Sequence, residues 1–262
     1  MVVTADRLVS YERGAFTYEG KARKIKFYEP NKDVKFALMG TGAVNYIEDF
    51  FRRFGKTKLG DMKSLEEVAQ KGAEVAGNMA KDSMESMYLR PLGLDWAKLY
   101  HPKSSVPEPI STFITDGIKG LGGGFQDGLH VLVAGLDYNG PHIYLVEDFD
   151  YTEVGTLGYH AVGMGDRAAR ISLENNLYGP FMNKNQSVFL SLISKFQAEE
   201  AHGVGRETDC GIISFDDNGI VWLSPEQIDN IRKIYINDLI PTFVKLIRDK
   251  SNKLDVVLKG VD

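Results

Sequence analysis

Two apolar runs constrain this chain more than any other feature in it. His130-Val131-Leu132-Val133-Ala134-Gly135-Leu136 and His142-Ile143-Tyr144-Leu145-Val146 flank Asp137-Tyr138-Asn139-Gly140-Pro141. Asn-Gly between apolar runs is the strongest short-range hairpin signal, because both residues accept the positive φ of a tight two-residue turn. A second pair, Cys210 to Phe215 and Ile220-Val221-Trp222-Leu223, surrounds Asp216-Asp217-Asn218-Gly219. The chain is therefore expected to build antiparallel sheets from hairpins.

The remaining segments fall around these pairs. Val2 and Val3 open a strand, Lys24-Ile25-Lys26-Phe27-Tyr28 alternates with period two, and Val34 to Met39 is a further strand ending at Gly40-Thr41-Gly42. Val44, Ile47, Phe50, Phe51 and Phe54 then recur at helical spacing. A second helix is expected from Ser64 to Met87, with Ser64 and Glu67 as a capping box. Prolines 91, 102, 107 and 109 predict an irregular stretch, and the run Gly120 to Gly124 a mobile loop. A strand is expected near Gly158 to Val162, then helices at Asp166–Asn176 and Gln186–Ala201. Ser224-Pro225-Glu226-Gln227 opens a long terminal helix, with serine at the cap and proline in the first turn. Strands in hairpins, interleaved with helix pairs, argue against a doubly wound parallel sheet, which alternates strand and helix singly. No repeat with a period of 20–50 residues is visible.

Composition sets the outer bounds. The 262 residues are 43% hydrophobic and 26% charged, ordinary for a globular protein, and the net charge is −5. That balance supports neither a nucleic-acid nor an anionic-membrane partner. A single cysteine, Cys210, rules out an internal disulfide and reads as a core residue. Charge arrives too early for a signal peptide and no apolar run is long enough to span a bilayer, so a cytoplasmic protein is expected. The five histidines, His101, His130, His142, His160 and His202, lack metal-ligand spacing, and the glycine run lacks Gly-Lys-Ser/Thr. Neither a metal nor a cofactor is expected.

Six local sequences, in their order, resemble the proteasome β-type fold of the N-terminal-nucleophile (Ntn) hydrolases. They are Val2-Val3-Thr4-Ala5-Asp6-Arg7, Arg23-Lys24-Ile25, Ala37 to Ala43, the hairpin from Leu132 to Tyr144, Ala161-Val162-Gly163-Met164-Gly165, and Asp209 to Gly219. The resemblance implies an α+β, four-layer αββα sandwich. It also implies one domain over 1–262 with an irregular insertion near 88–128, and a homo-oligomer built as a ring or stacked rings. The implied activity is threonine-type hydrolysis of peptide or amide bonds. An N-terminal hydroxyl attacks the carbonyl while its own α-amine acts as base, and backbone N–H groups hold the oxyanion. By the same resemblance Asp6 is the orienting carboxylate and Lys24 the lysine that lowers the amine pKa; the oxyanion glycine aligns best with Leu38, and Gly40 takes that place after a small shift.

The departures matter equally. Met1 stands five positions before Asp6, where the family places its nucleophile about ten residues upstream. Thr4 lies inside a strand, and Met164 replaces the serine of the Gly-Ser-Gly turn. No clear match to the family's late Asp and Ser occurs from Ala201 to Gly205. Three readings stay open: a hydrolase whose first strand and nucleophile lie upstream of Met1, a catalytically inactive scaffold or binding subunit, and an unrelated α+β binding protein.

Overall fold

The computed structural model describes residues 1–11, 16–19, 23–99, 106–126, 128–147, 149–215 and 219–248. The strands are β1 (Val2–Asp6), β2 (Leu8–Tyr11), β3 (Phe16–Glu19), β4 (Ile25–Tyr28), β5 (Lys35–Gly42), β6 (Leu129–Asp137), β7 (Gly140–Glu147), β8 (Asp150–Glu153), β9 (Thr208–Ile213) and β10 (Ile220–Trp222). The helices are α1 (Val44–Phe54), α2 (Leu65–Met84), α3 (Trp96–Leu99), α4 (Glu108–Gln126), α5 (Asp166–Asn175), α6 (Lys184–Ala198) and α7 (Pro225–Ile234).

The expected central hairpin is the middle of a five-stranded antiparallel sheet ordered β4-β5-β6-β7-β8. Its turn differs in register from the Asn-Gly expectation. Asp137 pairs with Gly140, so Tyr138 and Asn139 occupy the turn, and Gly140 takes a φ of 118°. The reason is Asp137, which is buried and whose carboxylate accepts the Asn139 N–H at 2.8 Å and the Leu65 N–H at 2.9 Å. One side chain thus closes the turn and ties it to the start of α2.

Alternation sorts these strands between two apolar faces. Phe36, Leu38, Val131, Val133, Tyr144 and Val146 join a cluster with α1 and α2. Ala37, Leu132, Ala134, Ile143 and Leu145 point the other way and meet Val3 and Ile213 of a second sheet, ordered β1-β9-β10. Burial on both faces is why β6 and β7 read as unbroken apolar runs. A third cluster, with Cys210 and Ile228, joins the far face of the second sheet to Val188, Leu192 and Phe196 of α6. The first cluster is densest around Phe36, Phe50 and Phe54, all fully buried, with Tyr28 stacked on Phe36 at 5.1 Å. Truncating Phe54 to alanine there would cost about 3–5 kcal/mol.

Helix caps follow the sequence closely. Ser64 accepts the Glu67 N–H at 3.2 Å, but the Glu67 carboxylate takes the Lys63 N–H at 2.7 Å, so the expected Ser64/Glu67 box is half formed, whereas complete capping boxes form at Asn183/Gln186 and Ser224/Gln227. Two π-helical turns, Glu85–Leu89 and Tyr235–Leu239, each end two residues before a proline, Pro91 and Pro241. Proline lacks an N–H and its ring collides with the carbonyl four residues back, so the widened turn relieves a clash that an α-helix would suffer.

Two expectations are corrected, and one small sheet went unread. Gly158–Val162 is not a strand; the edge strand is β8 at Asp150–Glu153, followed by a 3₁₀ turn at Gly155–Leu157. The small sheet β2-β3 had no clear signal in the sequence. The stretch read as irregular near 88–128, with its mobile glycine loop, contains α3 and α4, and α4 runs through Gly120–Gly124. Glu108-Pro109 suits a helix start, and Ile110, Phe113 and Ile114 follow at helical spacing. Gly117 permits close packing there, because a Cβ would meet the Tyr88 ring at 2.2 Å. His101 and the turn residues 216–218 lie outside the described residues.

Candidate active site

Asp6 and Lys24 come from different sheets. Asp6 ends β1 and Lys24 immediately precedes β4, yet Lys24 Nζ donates to Asp6 Oδ1 at 2.9 Å. The same carboxylate oxygen accepts the Leu8 N–H at 2.7 Å, which fixes its orientation as the chain leaves β1. Both side chains are about one-fifth exposed, at 19% and 21%. Gly40 is the cross-strand neighbour of Lys24, to whose carbonyl it donates its N–H at 3.1 Å. That N–H is therefore already committed and is not free for an oxyanion in this arrangement.

All three residues line one cavity of about 990 Å³. This lies at the upper end of the range for small-molecule pockets. Its floor is the inner face of β5 and β6, and its far wall is the loop from Gly158 to Gly165 and part of α6. Thr4 also lines it, from the middle of β1, where it pairs with Cys210.

The edge of β1 facing away from β9 completes the geometry. Met1 exchanges both backbone bonds with Ile213, and the Arg7 N–H reaches the Glu207 carbonyl at 3.2 Å. With that register, Met1, Val3, Ala5 and Arg7 direct their backbone groups to β9, whereas Val2, Thr4 and Asp6 direct theirs to the opposite side. Among the described residues β1 pairs with no strand other than β9. An edge of this kind is a template for another extended segment.

The cavity contains a cation that the sequence did not flag. Lys195 of α6 is buried, and its ammonium donates to Glu199 Oε1 at 2.6 Å and to the Gly205 carbonyl at 2.5 Å. Glu199 in turn accepts both guanidinium nitrogens of Arg232, at 2.6 and 2.8 Å. Burial lowers the Lys195 pKa, with Glu199 and then Asp6 opposing the shift. The signal was present as a Lys-Glu pair four apart beside the apolar Leu192 and Phe196, although it reads equally as a solvated ion pair. His160 also lines the cavity, its pKa lowered by burial and then by the charge of Arg170.

Other singled-out residues are elsewhere engaged. Met164 is exposed at the cavity rim, in the turn where Gly163 takes a φ of 97°. Cys210 is fully buried, and burial, with Asp209, pushes its thiol up to about 12. His130 pairs with Glu147 at 3.2 Å and His142 with Glu153 at 2.8 Å. Among the described residues no group of three or more His, Cys, Asp or Glu side chains is placed to hold a metal ion. Among them, too, no helix is long and apolar enough to cross a membrane.

Two antiparallel sheets with attached helices, and an acid–lysine pair joining their rims, define the class of this protein as a mixed α/β fold with an inter-sheet cavity. Within that class, its likeness is to the Anbu (ancestral beta-subunit) proteins. The structure matches Anbu from Yersinia bercovieri with a TM-score of 0.62 at 13% identity, over 93% of this chain and 92% of that one. A Gly-1 mutant of Anbu from Hyphomicrobium sp. strain MC1 matches with 0.62 at 12% identity, over 94% and 93%. The helical assembly of the Anbu complex from Pseudomonas aeruginosa matches with 0.62 at 11% identity, over 93% and 91%. No protein-family profile and no curated protein sequence matches the chain. At such identities the likeness concerns the fold. It corrects the resemblance drawn to proteasome β-subunits: the matching structures are Anbu (ancestral beta-subunit) proteins. The motifs behind that resemblance mark strand ends and tight turns, which report local geometry and do not identify a family.

Proposed function

We propose that this chain is an Anbu-like scaffold of the Ntn-hydrolase type, which cleaves peptide or amide bonds when a nucleophile-bearing strand occupies the cavity beside β1. The observation carrying the reading is the convergence of the Asp6–Lys24 pair, 2.9 Å apart, and Gly40 on one cavity next to the unpaired edge of Val2, Thr4 and Asp6. The three apolar clusters support a four-layer αββα sandwich, with α1 and α2 outside one sheet and α6 and α7 outside the other. They also support a single domain over 1–262, since every cluster shares its strands with the next.

In this reading the incoming strand starts with a threonine, serine or cysteine. Its side chain attacks the carbonyl carbon while its α-amine takes the proton and passes it to the leaving amine. Lys24 supplies positive charge that keeps the amine neutral near pH 7, and Asp6 holds Lys24 in place. Gly40 contributes space rather than a donor, because a Cβ there would meet Ile47 at 2.7 Å. Water then releases the acyl group. A cytoplasmic homo-oligomer fits this reading, and the assembly formed by the Pseudomonas aeruginosa protein supports the oligomer.

Expression from the genomic locus with every in-frame codon before Met1 retained, followed by N-terminal sequencing and a fluorogenic peptide-amide assay, tests the proposal. The expected result is hydrolysis that falls at least about 100-fold in Lys24→Ala with the fold intact. Hydrolysis unchanged by that substitution would sink it. A second reading, an inactive scaffold, is favoured by Met164, which places a thioether at the cavity rim in the turn that resembles Gly-Ser-Gly. Its mark is a folded, assembled protein with no turnover and no labelling by an N-terminal-nucleophile probe.

A further inference from the structure

Three polar side chains stand in a row at the end of a largely apolar sheet face. The strand register sets Thr41 of β5 opposite His130 of β6, and Glu147 at the end of β7 places a carboxylate oxygen 3.2 Å from His130 Nδ1. Two residues along each strand, on the same face, lie Met39, Leu132 and Leu145. All six line the inter-sheet cavity, and the imidazole and carboxylate stay open to it at 33% and 42% exposure.

The bonding leaves this row chemically open. A carboxylate at Nδ1 keeps the ring proton on that nitrogen, so Nε2 is the proton acceptor. Neither Nε2 nor the Thr41 hydroxyl has a hydrogen-bond partner among the described residues. Facing Cβ atoms of paired strands lie about 5.5 Å apart, within reach of a hydroxyl–imidazole bond once a substrate orders the two groups. Gly163 makes room beside the hydroxyl, because a Cβ there would meet Thr41 Oγ1 at 2.9 Å. The Met164 and Gly165 N–H groups of the same turn have no acceptor among the described residues and are free to meet an oxyanion.

We propose that Thr41, His130 and Glu147 are a second nucleophilic centre, which hydrolyses carboxylic esters of short apolar acyl chains. Thr41 Oγ1 attacks the ester carbonyl carbon as its proton passes to His130 Nε2, and Glu147 steadies the imidazolium. The ester C–O bond breaks, and the leaving alkoxide takes that proton. Water, deprotonated by His130, then attacks the acyl-Thr41 ester; the C–Oγ1 bond breaks and Oγ1 regains the proton. Met39, Leu132 and Leu145 receive the acyl chain, which is why the substrate is apolar on that side. This centre needs no residue upstream of Met1, so its failure and that of the N-terminal mechanism are distinguishable.

The chain from Met1, which carries no N-terminal threonine, serine or cysteine, is assayed with p-nitrophenyl butyrate. The value of kcat/KM should fall at least about 100-fold in Thr41→Val and in His130→Gln, and Thr41→Ser should stay within about 10-fold of wild type. His142→Gln, which removes an imidazole paired with Glu153 that does not line the cavity, should change nothing. Mass spectrometry after an acid quench should find the butyryl group on the peptide holding Thr41. Circular dichroism checks folding, and acylation of Thr41 in the wild type decides the matter if Thr41→Val does not fold. Hydrolysis unchanged in Thr41→Val would overturn the proposal, as would an equal loss in His142→Gln, the mark of unspecific imidazole catalysis. A wild type with neither turnover nor acylation overturns it too.

Discussion

Glu199→Ala offers the sharpest test of how the cavity wall is held. The Glu199 carboxylate is 7% exposed and neutralises two cations, the Lys195 ammonium at 6% exposure and the Arg232 guanidinium at 22%. Removing it leaves Lys195 buried with, among the described residues, only the Gly205 carbonyl as a hydrogen-bond acceptor. Breaking a buried ion pair from one side costs about 3–5 kcal/mol, because the remaining charge keeps its desolvation penalty. Arg232 softens the loss, since it reaches solvent, lies 4.0 Å over the Phe196 ring and still donates to the Arg206 carbonyl. About 3 kcal/mol is therefore expected, a large part of a typical total of about 5–15 kcal/mol. In urea unfolding, with a slope of about 3 kcal/mol/M, the midpoint should fall by about 1 M. The Lys195→Met/Glu199→Leu double variant should recover most of the loss, because no unpaired ammonium remains in the core. A midpoint shift below about 0.3 M for Glu199→Ala would refute the argument. The physical meaning would be that water entering from the cavity solvates Lys195, so that the ammonium is not desolvated at all.

Three further outcomes follow from the same geometry. The lowered pKa of Lys195 means that the folded chain loses that proton at a pH where the unfolded chain, titrating near 10.5, still holds it. Stability should then rise with pH between the folded value and 10.5, and Lys195→Met should flatten that rise in unfolding curves taken at alkaline pH. Gly211→Ala should cost about 1–3 kcal/mol in thermal or urea unfolding, because a Cβ would sit 2.2 Å from the Phe27 ring that joins the two sheets; an unchanged midpoint would show that the Phe27 ring moves aside freely. Cys210, with its thiol pushed up to about 12, should react with a thiol reagent only after unfolding, so rapid native-state labelling would contradict its burial.

What could be read locally was read well. Ser64, Ser224 and the period of Phe50, Phe51 and Phe54 located helices because caps and amphipathic stripes depend on residues three or four apart. Asn139-Gly140 located a hairpin, although Asp137 moved its register, an effect that needed the distant Leu65 N–H. The resemblance that paired Asp6 with Lys24 anticipated a contact 18 positions apart. Where the reading failed at α4, the cause was ambiguity in small residues: glycine at 117 and 120–124 suits a loop as readily as a closely packed helix.

Taken alone, then, the sequence determined most of the strand and helix segments, several of their caps and the period with which apolar residues face a core, because each of these is a property of neighbouring residues. Tertiary structure alone decided that β1 pairs with β9, some two hundred positions away, which leaves the other edge of Val2, Thr4 and Asp6 facing a cavity. It alone decided that Lys195 is buried and that the helix beyond Tyr235 is not. Whether a side chain is desolvated depends on which distant surfaces arrive against it, and no local pattern carries that information.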